Sequence, residues 1–174
     1  MYIPNHNKEV NPERILAFIK AYPFATIITD DSGTPIATHL PFTVEKNGDQ
    51  LMLTAHMAKA NPHWKLFSSE KQSLVIFSEP HAYVSTTNYE KDENVPTWNY
   101  VAVHVYGNPK ILESVEQKTK VLEELINQSE PAYMVQFKTL DEKYKNGLLN
   151  GIVAFQFKAE KIEAKFKLSQ NRTI

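Results

Sequence analysis

Cysteine is absent from all 174 residues. That absence removes disulfides, thiolate nucleophiles, cysteine-bound zinc, iron–sulfur clusters and cysteinyl-flavin links from consideration. Glycine is scarce, with five in the chain, which leaves little material for phosphate-cradling loops. No GxGxxG, P-loop or GxSxG pattern stands out. No apolar run approaches the roughly 20 residues that a membrane span needs, and the opening MYIPNHNKEV lacks the charged-then-apolar pattern of a signal peptide. The expectation is a cytoplasmic chain with no membrane partner. An excess of one charge is missing too. Lys and Arg number 19 against 20 Asp and Glu, a formal net charge of −1, so nothing draws the whole chain toward nucleic acid.

What is present fits one globular domain over residues 1–174. Hydrophobic residues make up 42%, charged residues 22% and aromatics 11%, and a chain of this length closes a core without covalent staples. Asn11 and Pro12 predict a helix start, with Ile15, Leu16, Phe18 and Ile19 as its apolar stripe and an end near Pro23. Phe24 to Thr29, a turn through Asp31, Ser32 and Gly33, and Ile36 to Val44 read as a β-hairpin. Asn47-Gly48 turns the chain into Leu51 to Ala55. A short helix is expected from Asn61-Pro62, and strands from Ser73 to Ser78 and Tyr83 to Thr86. Thr97 to Leu112 reads as one long strand. Ser114 with Gln117, and Thr139 with Glu142, match capping boxes, and Val121, Leu122, Leu125 and Ile126 form the buried stripe of the first of these helices. The last segment sets Ile162, Ala164, Phe166 and Leu168 against Lys161, Glu163, Lys165 and Lys167, which reads as a strand with a solvated lysine face. The pattern is mainly β (α+β). An antiparallel barrel closed on itself, with peripheral helices, is the expected closure because it removes exposed edges.

Four stretches carry more polar chemistry than plain strands require. In Ala37-Thr38-His39-Leu40-Pro41-Phe42, proline implies an edge or a bulge, and His39 faces either a site or solvent. Thr54 to Trp64 places Lys59 just ahead of a helix start, an arrangement that suits a phosphate; a capped helix with a solvated lysine and a core Trp64 fits equally. Tyr83 to Tyr89 and Val95 to Tyr100 put aromatic rings beside hydroxyls and amides, which suits a planar heteroaromatic ligand. Aromatics are also favoured in strands, and Trp98 can simply fill the barrel. Between these two stretches lies a charged loop with Glu90, Lys91, Asp92 and Glu93. The six histidines form no tight metal-binding pair, and no helix-turn-helix stands out.

Taken together, Met1-Tyr2-Ile3-Pro4, PFATIITD, ATHLPF, LTAHMAKANPHW, AYVSTTNY, VPTWNYVAVHVYG and KFKLSQNR resemble, in order, the PaiB-type FMN-binding negative transcriptional regulators. The likeness covers almost the whole chain, and VPTWNY together with HMAKANP is its most specific part. It implies an antiparallel split β-barrel related to the pyridoxamine-phosphate oxidases, forming a homodimer with FMN in clefts shared by two subunits. On that resemblance Thr38, His39 and Leu40 line the isoalloxazine, and His56, Met57, Lys59 and Asn61 meet the ribityl chain and phosphate. Trp98 and Asn99 come from the facing subunit, while Lys167, Ser169, Gln170 and Asn171 close the cleft. Relatives carry Arg where this chain has Lys59, so a point charge replaces a bidentate fork. They also continue past KLSQNR into a helical tail, whereas this sequence stops at Ile174. The implied function is a flavin-dependent regulator, with no DNA-reading element visible. The alternatives are an oxidoreductase moving hydride from NAD(P)H to a small molecule through FMN, with His39 or His56 tuning the flavin, and a haem-handling protein with His39, His81 or His104 as axial ligand.

Overall fold

Asn11 starts the first helix, its side-chain oxygen accepting the N–H groups of Glu13 and Arg14. Pro12 takes the first helical position, where a missing N–H costs no hydrogen bond. The resulting α1 (Pro12–Ala21) buries Ile15, Phe18 and Ile19 on one stripe. The computed structural model describes residues 1–48, 50–67, 71–89 and 93–170. Around α1 it arranges β1 (Lys8–Glu9), β2 (Phe24–Asp31), β3 (Thr34–Pro41), β4 (Thr43–Asn47), β5 (Gln50–Ala58), β6 (Ser73–Phe77), β7 (His81–Val84), β8 (Thr97–Gly107), β9 (Pro109–Leu112), β10 (Ile152–Lys158) and β11 (Lys161–Lys167). Between β9 and β10 come α2 (Val115–Ser129), α3 (Tyr133–Thr139) and α4 (Glu142–Asn150).

The strands form two antiparallel sheets rather than the single closed barrel expected from sequence. One sheet runs β1-β11-β8-β6-β2-β3, with β7 added to β8, and the other runs β4-β5-β10-β9. The chain passes between them at Phe42, at Asn108, at the turn Ala159-Glu160 and in the connection from β5 to β6. Proline explains two of these corners. Pro41 ends β3 and Pro109 opens β9, and neither can donate to a continuing ladder. Glycine helps at the second corner, where a Cβ on Gly107 would lie 2.0 Å from the Lys158 carbonyl oxygen. Phe42 fills the first corner and meets Phe77 and Phe155 edge-on at 5.8 and 6.1 Å. The core between the sheets is completed by Leu53, Val75, Val103, Val105 and Phe157.

Several local expectations change in the same way. The long strand 97–112 breaks at Asn108, and Thr86 opens a 3-10 turn, Thr86–Asn88, instead of ending β7. Ser114 and Gln117 do form a capping box. The second expected box does not form: Thr139 closes α3 by donating to the Gln136 carbonyl, and Asp141 caps α4 through the N–H groups of Lys143 and Tyr144. On α2 only Val121 is buried, with Leu122, Leu125 and Ile126 half-buried. The lysine face of β11 is not uniformly solvated. Lys165 is 8% exposed, its ammonium lying 5.6 Å from the Tyr2 ring and 5.1 Å from the Tyr100 ring, an arrangement that substitutes cation–π attraction for water.

Candidate functional site

Two separate clusters gather the candidate residues. The first is built where β3, β5 and the 3-10 turn Pro62–Leu66 meet. Asn61 caps that turn, its Oδ1 accepting the His63 N–H at 3.0 Å, while its Nδ2 donates to Thr38 Oγ1 at 3.1 Å. Thr38 Oγ1 also lies 2.8 Å from His63 Nδ1. Lys59 is clamped by its backbone, its N–H donating to Gly151 O at 2.8 Å and its carbonyl accepting Trp64 Nε1 at 3.1 Å, while its side chain is exposed. A fixed backbone with an exposed ammonium suits an anionic ligand. The helix start adds less than the sequence implied, because the turn is short and its His63 N–H is already bonded to Asn61.

Strand alternation divides the remaining residues of this cluster, since neighbouring side chains point to opposite faces. Leu40 and Met57 are buried in the core at 8% and 2% exposure, so any contact from them to a ligand runs through backbone atoms. His39 lies on the exposed face of β3, where Thr26 Oγ1 holds its Nδ1 at 2.8 Å and Phe24 stacks on its ring. His56 is half-buried on the face of β5 opposite Met57, and burial pushes its pKa down, which favours the neutral ring. Trp64 packs against the core. As the proline in ATHLPF implied, β3 ends its sheet, so one of its edges has no ladder partner among the described residues.

The second cluster joins the start of β8 to the end of β11. Lys167 Nζ donates to Thr97 Oγ1 and, at 2.7 Å, to the Trp98 carbonyl. Ser169 donates to Asn99 Oδ1 at 2.8 Å. Gln170 donates to the carbonyls of His6 and Phe166, so it ties down its own chain. Trp98 is exposed, with His81 and Tyr83 packed around its ring at 5.7 and 5.8 Å. Asn171 lies outside the described residues.

The register sets the distance between the clusters. Thr38 pairs with Ile27, Ile27 with Val75 and Val75 with Val105. Three strand spacings amount to about 14 Å, and the six residues from Val105 back to Asn99 add about 20 Å at right angles, which places the clusters about 25 Å apart. One flavin ring cannot touch both within a protomer. A cleft of about 620 Å³ lies elsewhere, between the N-terminal segment, α1 and β11. None of the candidate residues lines it, and its carboxylates Glu9 and Glu163 are paired with Arg14 and Lys161.

Sequence reasoning did not single out His63, which the fold joins to Thr38 and Asn61 in the first cluster. The only signal was the Asn61-Pro62-His63 spacing, which lets a capping side chain receive the N–H two residues on. Thr26, which orients His39, gave no signal before the strands were paired.

Comparison with known proteins bears on the family, the cofactor and the fold. The family model described as "Putative FMN-binding domain" matches residues 1–161. A Bacillus subtilis relative, "Protease synthase and sporulation protein PAI 2", is 43% identical over 175 residues, spanning 99% of this chain and 83% of that protein. Among solved structures, the FAD and heme binding protein from Mycobacterium smegmatis superposes with a TM-score of 0.71 at 16% identity, over 92% of this chain and 73% of that one. A "Putative Pyridoxamine 5'-phosphate oxidase" from Listeria innocua gives 0.54 at 14% identity, over 87% of this chain and 95% of that one. At these identities the two structures speak for the fold, a split barrel. With its family model covering most of its length and a relative 43% identical from end to end, the chain belongs to the PaiB-type family of FMN-binding split-barrel proteins, and FMN is its cofactor.

Proposed function

We propose that this protein is a flavin-dependent regulator that holds FMN non-covalently in two sites of a homodimer, each site drawing on both subunits. The carrying observation is the edge of β3, with Thr38 and Asn61 hydrogen-bonded beside it and the exposed Lys59 ammonium nearby. An unpaired strand edge offers N–H and C=O groups in a row, which suits the donors and acceptors of a flavin pyrimidine. Lys59 supplies the charge for the phosphate. Trp98 and Asn99 sit too far away to complete this half within one protomer, and the partner copy supplies them. The exposed Trp98 and Tyr83 rings favour burial against that copy.

When bound, FMN supplies one- or two-electron redox chemistry. The chain's own groups orient it: Lys167 and Ser169 hold the Trp98 and Asn99 segment in place, and Lys59 anchors the phosphate end. The regulator role follows the relative named for protease synthesis and sporulation, and a partner protein is its expected target. Purified protein should be yellow and release FMN on denaturation. Lys59→Ala should weaken FMN binding roughly ten- to hundredfold, while Lys46→Ala, which removes a cation bonded to Glu13, should leave it unchanged. Equal effects from the two would remove the phosphate assignment. Rapid anaerobic bleaching by NADH or NADPH, followed by repeated turnover once oxygen or another electron acceptor is admitted to reoxidise the flavin, would instead make the protein an oxidoreductase.

A further inference from the structure

We infer that His63 acts as a positioning residue, turning the Thr38 hydroxyl into a hydrogen-bond donor directed at an acceptor atom of the bound flavin. The inference rests on the flavin reading of this site and deepens it. The amide orientation of Asn61 is settled by its neighbour. The His63 backbone N–H can only donate, so the Asn61 oxygen faces it, and the Asn61 Nδ2 then donates to Thr38 Oγ1. Thr38 therefore already receives one proton.

The imidazole decides what happens to the hydroxyl's own proton. His63 is 1% exposed, and among the described residues its Nε2 has no hydrogen-bond partner. Burial lowers the His63 pKa and holds the ring neutral near neutral pH, so there is one ring proton to place. On Nε2 that proton would be a buried donor without an acceptor, the costlier kind of orphan. On Nδ1 it donates to Thr38 Oγ1, 2.8 Å away. Thr38 then accepts from Asn61 and His63 together, both of its lone-pair positions are filled, and its hydroxyl proton points away from both. Among the described residues no other hydrogen bond is made by that hydroxyl. Thr38 is only half-buried, so water satisfies its proton in the ligand-free protein, where none reaches His63 Nε2. In the complex a ring carbonyl or unprotonated ring nitrogen of the ligand is the chemistry that takes it.

The first test needs no flavin. Long-range 15N–1H correlation spectra of the ligand-free protein should show the His63 proton on Nδ1, and a proton on Nε2 overturns the inference even if FMN binds well. The second test titrates FMN and records the absorption of the bound flavin. Thr38→Val and His63→Phe should each weaken binding roughly five- to tenfold and shift the flavin band in the same direction, and the double variant should be no weaker than either single one. His63→Asn, whose amide can donate from the Nδ1 position, should restore both affinity and spectrum. Additive losses, or a His63→Phe protein that is folded yet spectrally unchanged, would show that His63 does not act through Thr38. Wild-type protein that binds no FMN would overturn the site reading itself, whatever the tautomer.

Discussion

A protomer lacking Lys59 and a protomer lacking Trp98 should, when mixed, regain binding that neither has alone. The strand register separates Thr38 from Asn99 by about 25 Å within one chain. If each flavin site takes Lys59 from one subunit and Trp98 from the other, a Lys59→Glu homodimer has two damaged sites, and so does a Trp98→Ala homodimer. A heterodimer of the two variants is different: one site has lost both residues and the other has kept both. Random re-association of equal amounts gives about half heterodimers, so about one quarter of all sites should recover wild-type affinity. The assay is quenching of FMN fluorescence after joint refolding, with one variant isotopically heavy so that native mass spectrometry counts the heterodimers. Each homodimer alone should bind roughly tenfold more weakly or worse. Verified heterodimers with no recovered sites would refute the shared-site geometry, and a monomer in solution would refute it sooner.

Three further outcomes follow from the packing. Gly107→Ala sets a Cβ 2.0 Å from the Lys158 carbonyl, a backbone clash that no rotamer relieves; a loss of about 3 kcal/mol lowers the melting temperature by about 6–12 °C, and a shift below about 2 °C would reject the tight corner. Thr29 and Ser73 share a fully buried 2.6 Å hydrogen bond, so Thr29→Val should cost about 1–3 kcal/mol in urea unfolding while Thr29→Val with Ser73→Ala costs less than the single change. Glu163 is held down to a pKa of about 2, from 4.5, by hydrogen bonds from Lys161, the Met1 amino group and Tyr106. A lowered folded pKa means that its contribution is complete above the unfolded value and is lost as pH falls toward about 2. Stability of wild type and Glu163→Gln should therefore differ at pH 6 and converge in strong acid, and a constant gap would contradict the assignment.

Local structure was legible at most places where a short-range rule decided it, the box expected of Thr139 and Glu142 excepted because Asp141 takes the capping position. Asn11-Pro12, Ser114 with Gln117, and the Asn47-Gly48 turn each act through hydrogen bonds or dihedrals within a few residues, and each element formed as the residues require. The other failures share a cause. Periodicity cannot tell a strand that continues in one sheet from a strand that crosses into another, so 36–44 and 97–112 each read as one unit although each spans two sheets. Pro41 and Pro109 carried the missing information, because both sit at crossings. Lys165 was misread for a related reason: alternation assigned it to an outer face, and nothing local indicated that Tyr2, far away in sequence, lies over that face.

The candidate site shows the same division between chemistry and placement. Residue types in HMAKANP suited a phosphate, the resemblance of the blocks together implied FMN, and the family assignment agrees with that cofactor. Which side chain of each neighbouring pair can face a ligand was not legible, since Thr38 and His39, like His56 and Met57, project from opposite faces. The sheet order supplies what the blocks could not. Placing β6 and β2 between β8 and β3 keeps VPTWNY away from ATHLPF in the same chain, however close their chemistry. On the proposed shared site, a protomer carries two incomplete halves, one with the cation and the strand edge, the other with the aromatic ring and amide. Two such halves, one on the edge strand β3 and one on β8 three strands further in, complete each other when a second copy is turned by a two-fold axis, so the proposed shared site predicts that cofactor affinity depends on protein concentration below the dimer's dissociation constant.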